Sequence, residues 1–313
     1  MSNGNVKIPV IVIFAPTASG KTALTKELFS EAGSHFVLNG EIVSADSQAV
    51  YKYMDIGTAK PEPDFCKIIP HHLINEVTPD MQFTVADFIE KADKCCKEIF
   101  SRNHIPIVCG GTGFYIRHFL FGLPQTPESN SEIRNKLQKR IETEGNEALY
   151  AELKIVDPES ADKIHINDSY RICRSLEIFY TTGKKRSDYK LENKYREDFD
   201  FKFFVLEPPK DLLYSRIKTR VEKMMDSGLR EEINNLKIMG YNESCPGLKA
   251  IGYSEWFKFD SEEEIKNAII SNSWKYAKKQ YTYIRDIPNS IVIPFSATDE
   301  DIINVGKEIK KLF

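Results

Sequence analysis

The chain has no long hydrophobic run: nothing in its 313 residues approaches the roughly 18–20 apolar residues of a membrane span. Its first apolar stretch, Val10 to Phe14, leads straight into a glycine loop and has no basic segment before it, so it reads as a strand and not a leader. Neither charge sign dominates. Lys and Arg number 43 against 46 Asp and Glu, for a formal net charge of −3. That excludes a globally basic nucleic-acid binder but leaves room for a basic patch. Cysteine is sparse and unpatterned. Cys66, Cys95, Cys96, Cys109, Cys173 and Cys245 form no Cys-x-x-Cys, and no Cys/His cluster has zinc spacing. Free thiols in a reducing cytosol are expected, hence a cytoplasmic protein without disulfides. Internal repeats and low-complexity segments are also missing. What remains is globular in character, 41% apolar and 28% charged, long enough for one large domain or two.

The β-branched run Ile8–Phe14 predicts a strand buried on both faces, and further strand signals stand at Glu41–Ala45, Ile105–Cys109, Phe201–Leu206 and Ser290–Pro294. Between them lie helical patterns from Gly20 to about Ser30 and over 84–100, where Val85, Phe88, Ile89, Ala92, Cys96 and Ile99 recur at three- and four-residue steps. This rhythm predicts an α/β fold, a parallel sheet flanked by helices. Residues 124–197 lack strand runs and read as helices, so the expected organisation is a core of 1–123 and 198–313 with a helical insertion domain at 124–197.

The strongest motif is Ala15-Pro16-Thr17-Ala18-Ser19-Gly20-Lys21-Thr22, a phosphate loop with alanine in place of its first glycine. Consecutive backbone N–H groups and a helix N-terminus cradle phosphate oxygens. Lys21 supplies charge to the terminal phosphates, and the Thr22 hydroxyl can ligate Mg²⁺. The motif predicts a di- or triphosphate site without saying what carries the phosphate.

In an open parallel sheet, ligands sit beyond the carboxyl ends of the strands. The second strand ends at Asp46-Ser47, where Asp46 can be a general base, a Mg²⁺ ligand through water, or a helix cap. The third ends in Gly110-Gly111-Thr112-Gly113, either backbone brought close to a ligand with Thr112 in the cleft or a tight strand-to-helix turn. No carboxylate ends that strand, which argues against a motor or switch NTPase.

Three basic runs stand out. Residues 171–196 hold eight Lys and Arg against three acids, with Arg171 and Arg174 on one helix face. A helix near 211–226 carries Arg216 and Arg220 four apart, able to reach a diphosphate. Residues 274–285 lack acids and interleave Lys275, Lys278, Lys279 and Arg285 with Trp274, Tyr276, Tyr281 and Tyr283, a pattern suited to an RNA surface.

Taken together, these motifs resemble the tRNA dimethylallyltransferase family, bacterial type, over about residues 8–286. The ordered set runs Pro16–Thr22, Ser44–Ser47, Met54–Pro61, His71–Ile74, Val85–Phe88, Gly110–Gly113, Asn167-Asp168 with Arg171 and Arg174, Leu176–Ile178, Thr182–Lys184, Gly228-Leu229, Ala250–Tyr253 and Tyr276–Gln280. The resemblance implies a P-loop NTPase-like core that transfers a dimethylallyl group from dimethylallyl diphosphate to N6 of adenosine 37 in tRNA, with Mg²⁺ assisting. It implies Asp46, Thr112, Lys21 and Arg220 as catalytic residues and the loop Ala15–Thr22 as the diphosphate site. For tRNA it implies Asp46, Ser47, Gln48, Ala49, Thr112, Arg134, Tyr170, Arg171, Ile172, Cys173, Arg174, Lys249, Tyr276 and Lys279. The partner is the anticodon stem-loop with adenosines at 36 to 38, its target base flipped out of the stack, and the enzyme is a monomer. This chain departs from the pattern in four places: Ala49 stands where a glutamine is usual, Trp274 and Lys279 where arginines are, and Tyr283 where a tryptophan is. Competing readings are an adenine-nucleotide prenyltransferase, which needs no basic insertion, a small-molecule P-loop kinase, which needs a lid of arginines over ATP, and a non-enzymatic RNA-binding module.

Overall fold

In the computed structural model, which describes residues 7–312, the first apolar run forms β1 (Ile8–Phe14). It is followed by α1 (Lys21–Phe29), β2 (Gly40–Ser44), α2 (Pro63–Ile68), β3 (His71–His72), α3 (Val85–Ser101), β4 (Ile105–Gly110) and α4 (Gly113–Phe121). After the helices α5 (Ser131–Val156), α6 (Pro158–Ala161) and α7 (Ser169–Thr182), the sheet resumes with β5 (Phe199–Glu207). Then come α8 (Lys210–Asp226), α9 (Leu229–Ile238), α10 (Glu262–Gln280), β6 (Ile291–Pro294) and α11 (Asp299–Lys310). The six strands lie in the order β3-β2-β4-β1-β5-β6 with every pairing parallel.

Central position explains composition. β1 is paired on both edges, Phe14 opposite Gly110 and Val205, and its last five residues are buried. The connection leaving β1 runs to β2 and that leaving β4 runs to β5, in opposite directions across the sheet. Such a reversal opens a crevice at the carboxyl ends of the two strands. On one face Leu24 and Leu28 of α1 and Ile302, Val305 and Ile309 of α11 pack with Ile11, Ile13 and Phe204. Thr84 before α3 and Thr298 before α11 each form a reciprocal capping box with the third helical residue, Asp87 and Asp301. A second core joins α8, α9 and α10 through Val221, Leu229 and Ile269.

β3 has no apolar signature and is not foreseen from sequence. His72 is held instead by Glu41, whose Oε2 lies 2.7 Å from Nε2. Burial alone would raise the Glu41 carboxyl, but hydrogen bonds from Arg102, His72 and His104 outweigh it and hold it at about 2.

Contacts divide the chain into one unit of Met1–Gly122 with Asn193–Phe313 and a second of Leu123–Glu192. The second has its own core, with Leu137, Leu149 and Leu153 of α5 against Ile172 and Leu176 of α7, and α5 is broken at Gly145. Residues 193–197, placed in the insertion by the sequence reading, belong to the first unit. Tyr195 donates from its hydroxyl to Pro288 O at 2.5 Å. Arg196 is bidentate to Asp93 at 2.7 and 2.8 Å, donates to Phe119 O, and stacks among Phe119, Phe199 and Phe201. Its place in a basic run is therefore not a polyanion face but a partly buried ion pair. Replacing Arg196 by methionine leaves the partly buried Asp93 charge without its partner and is expected to cost about 2 kcal/mol, read as a lower urea midpoint. A midpoint equal to wild type would show the pair to be dispensable.

Candidate active site

The phosphate loop begins where β1 ends. Ala15 N donates to Gly110 O at 3.2 Å, which ties the loop to the end of β4. Gly20 has φ 98, and a Cβ there would lie 2.6 Å from the Ala297 Cβ, so only glycine fits before α1. Lys21, the first residue of α1, curls back and donates to Ala15 O at 2.9 Å and Pro16 O at 2.8 Å. Burial lowers its pKa to about 8, Cys109 and Asp46 oppose that fall, and Arg220 adds to it. The Cys109 thiol is itself pushed up to about 11 by burial. Of the eight loop residues expected to bind diphosphate, Thr17 to Thr22 line a cavity of about 1470 Å³. Ala15 and Pro16 do not. Both are buried, and they serve through carbonyls that hold Lys21.

Asp46 lines the same cavity. Its Oδ1 accepts from Gln48 N at 2.8 Å and Ala49 N at 3.4 Å. The capping role read from sequence is thus real, but it caps a turn and not a helix. Its charge also acts on Lys21 and Arg220. Thr112 is buried and does not line the cavity. Its hydroxyl accepts from Ser47 N at 3.0 Å, so it braces the turn that carries Asp46. At this turn a Cβ on Gly110 would lie 2.1 Å from Ala45 O, so chain packing demands the glycine, and Gly110 and Gly111 also line the cavity. Gln48 lines the cavity with its Oε1 buried and unpaired, while Ala49 is buried behind it.

From α8, Arg216 donates to Ser19 O at 3.2 Å and Ser296 O at 2.6 Å, and Arg220 to Thr58 O at 3.1 Å. Burial lowers the Arg220 pKa and Asp46 opposes it. Lys249, which is exposed, and Tyr276, whose hydroxyl is its buried end, line the cavity. The Tyr276 hydroxyl is pushed up to about 12 by burial and by Asp46. Lys279 is exposed but lies outside the lining. Two aromatics of the third basic run are packing residues, a correction to its RNA-surface reading. Tyr281 packs edge-on to Phe14 and donates to Leu206 O, and Trp274 packs against Tyr214.

Gln280 closes the Tyr276–Gln280 motif but has no role assigned from sequence. It is buried, its Oε1 accepts from Thr17 N at 3.3 Å, and its Nε2 donates to Gly111 O at 2.6 Å. It stitches the phosphate loop to the glycine turn. The available signal was its place one helical turn after Tyr276 on the same face of α10.

The second unit carries the other residues expected to touch RNA. Ile172 and Cys173 are corrections: 0% and 6% exposed, they lie on the inner stripe of α7 in the helical core. Arg134 and Arg174 converge on buried Glu177 at 3.3 and 3.1 Å, and Arg174 also donates to Pro127 O. The Arg134 guanidinium sits 5.8 Å from the ring centre of Tyr170, itself 69% exposed. Arg171 pairs with Asp168, the cap of α7. Arg186 lies near enough to Arg171 and Arg174 that burial, and then their like charge, lowers its pKa.

The sheet, the loop and the cavity define a P-loop-like α/β protein with a cavity at the carboxyl ends of its strands lined by Lys21, Arg216 and Arg220. The chain belongs to the IPP transferase family, whose model matches residues 49–287. It is 42% identical over 88% of its length, and 89% of the relative's, to a tRNA dimethylallyltransferase of Sulfurihydrogenibium sp.. It is 39% identical to one of Acetivibrio thermocellus, over 93% of each chain. Among solved structures it is similar to a tRNA isopentenylpyrophosphate transferase from Bacillus halodurans, with TM-score 0.69, 32% identity and 97% and 96% of the two chains covered. It is also similar to a eukaryotic dimethylallyltransferase acting on tRNA, with TM-score 0.79, 27% identity and 98% and 78% covered.

Proposed function

We propose that the chain transfers a dimethylallyl group from dimethylallyl diphosphate to N6 of adenosine 37 in tRNA and releases diphosphate. The observation that carries this reading is one cavity that joins a phosphate loop, Lys21 and Arg220 to a carboxylate, Asp46, whose charge acts on both cations. N6 attacks the allylic carbon, the carbon–oxygen bond breaks, and its electron pair leaves with the diphosphate. An adenine amine is a weak nucleophile because its lone pair is delocalised into the ring. Asp46 takes its proton as the bond forms. Lys21 and Arg220 balance the charge growing on diphosphate. Thr112 keeps Asp46 in place through Ser47.

Magnesium fits as an ion held chiefly by phosphate oxygens and water. Thr22 is exposed and lines the cavity, and among the described residues no group of three His, Cys, Asp or Glu is arranged to hold a metal. Thr22 would hold it, and the ion would draw charge from the leaving group. The helical unit holds the anticodon stem-loop through Arg134, Tyr170, Arg171 and Arg174, with Gln48, Lys249, Tyr276 and Lys279 touching RNA in the core unit. Among the described residues no helix is long and apolar enough to cross a membrane. A monomer in the cytoplasm is the form we assign.

The test is diphosphate release. The purified chain with Mg²⁺ and dimethylallyl diphosphate should release one diphosphate per unmodified tRNA added and none with AMP. Release with AMP would make it a nucleotide prenyltransferase, and phosphate transfer from ATP to a small acceptor a kinase.

Lys21 adds a pH signature. Its ammonium is the binding form, and burial holds its pKa at about 8 in the free chain. Pyrophosphate affinity should therefore hold near pH 7 and fall above pH 8, relative to a Lys21→Met variant, by up to about tenfold per pH unit. Parallel profiles for the two proteins would remove Lys21 from phosphate binding.

A further inference from the structure

Three motif segments take no part in the chemistry above: Met54–Pro61, the Gly228-Leu229 start of α9, and Ala250–Tyr253. They meet at one carboxylate. Glu232 of α9 accepts backbone N–H groups from Asp55 at 2.8 Å, Ile56 at 2.8 Å and Gly57 at 3.1 Å. The Tyr253 hydroxyl donates to the same side chain at 2.7 Å. Consecutive N–H groups aimed at one anion form a nest. The buried Tyr253 ring closes it, since a Cβ on Gly57 would lie 2.5 Å from that ring.

A second anchor holds the far end of the loop. Lys60 donates to Asp55 at 2.7 Å, Asn75 at 2.6 Å and Tyr51 O at 2.5 Å. Tyr53 before the nest and Ala59 between the anchors keep φ 67 and 48, left-handed values that residues other than glycine adopt only where the surroundings over-determine them. The segment from Asp55 to Lys60 forms a wall of the cavity, and its Thr58 carbonyl accepts from Arg220.

We propose that Glu232 is a positioning residue, locking the 53–60 loop as the cavity wall and, through the Thr58 carbonyl, aiming Arg220 at the anion held by the phosphate loop. The inference rests on the reading that this cavity takes a diphosphate. Glutamine at 232 keeps the size but places an NH₂ donor where only donors converge, so the nest loosens.

The experiment is calorimetric titration of the full chain with inorganic pyrophosphate and Mg²⁺. Glu232→Gln should weaken binding by about tenfold while tRNA affinity stays within about twofold. In an Arg220→Ala background the same substitution should have no further effect, because residues that act as one unit are not additive. Tyr253→Phe, which leaves the three backbone bonds in place, should act in the same direction more weakly and carries the test if Glu232→Gln does not fold. Multiplying effects of the Glu232 and Arg220 changes, or unchanged pyrophosphate affinity in Glu232→Gln, would overturn the proposal alone. A wild-type chain that does not bind pyrophosphate would overturn the diphosphate reading and this inference with it.

Discussion

Asparagine in place of Asp46 is expected to lower turnover by about 10²–10⁴-fold, the range a positioned general base contributes, with tRNA and pyrophosphate affinity nearly unchanged. Asparagine is the informative change because Asp46 has two tasks. Its Oδ1 caps the turn by accepting from Gln48 and Ala49, and an amide oxygen does this equally well. Taking a proton from N6 needs the carboxylate. Asp46→Ala removes both tasks, so it should lose as much turnover and some thermal stability as well. Turnover measured with saturating tRNA and donor separates the two roles. Near-full activity in Asp46→Asn would remove Asp46 from the base role and leave it a turn cap.

Arg220→Ala is expected to lower kcat/KM for dimethylallyl diphosphate by about 10²–10³-fold, the loss seen when one preorganised partner of a developing charge is removed. Ground-state affinity for dimethylallyl diphosphate should fall less, because the charge is fully developed only as the carbon–oxygen bond breaks. The contrast with Arg216 is instructive. Arg216 spends two nitrogens on Ser19 O and Ser296 O, whereas Arg220 donates to one carbonyl and stands in the field of Asp46. Arg216 therefore holds the loop, and Arg220 is the cation available to the leaving group. Steady-state kinetics with donor varied at fixed tRNA tests this. A change confined to KM for tRNA would contradict the assignment.

Five of the six strands were legible in the sequence, the partly exposed edge strand β6 among them. β1, β2, β4 and β5 read as apolar runs because each has a partner on both edges. β3 was illegible because two histidines carry no pattern, and it exists through Glu41, which lies 31 residues from His72 in the chain. The site divides in the same way. Lys21, Thr22 and Asp46 follow from local rules, a loop between strand and helix and the end of a strand. Gln280 and Glu232 act across 169 residues to Gly111 and 175 to Gly57, distances that no spacing rule spans. Residue type also misleads where charge is read without burial. Arg196 looks like part of a polyanion face and is half of a partly buried ion pair. Ile172 and Cys173, carried along by the arginines beside them, face inward because the helix period puts them there.

The central claim is a covalent product on one nucleoside. Unmodified tRNA with adenosines at 36 to 38 would be incubated with the chain, Mg²⁺ and dimethylallyl diphosphate, digested to nucleosides and weighed, beside a control tRNA carrying guanosine at 37. The account predicts a dimethylallyl adenosine from the first tRNA and none from the control. Unmodified nucleosides from both, with the protein folded and pyrophosphate bound, would contradict it.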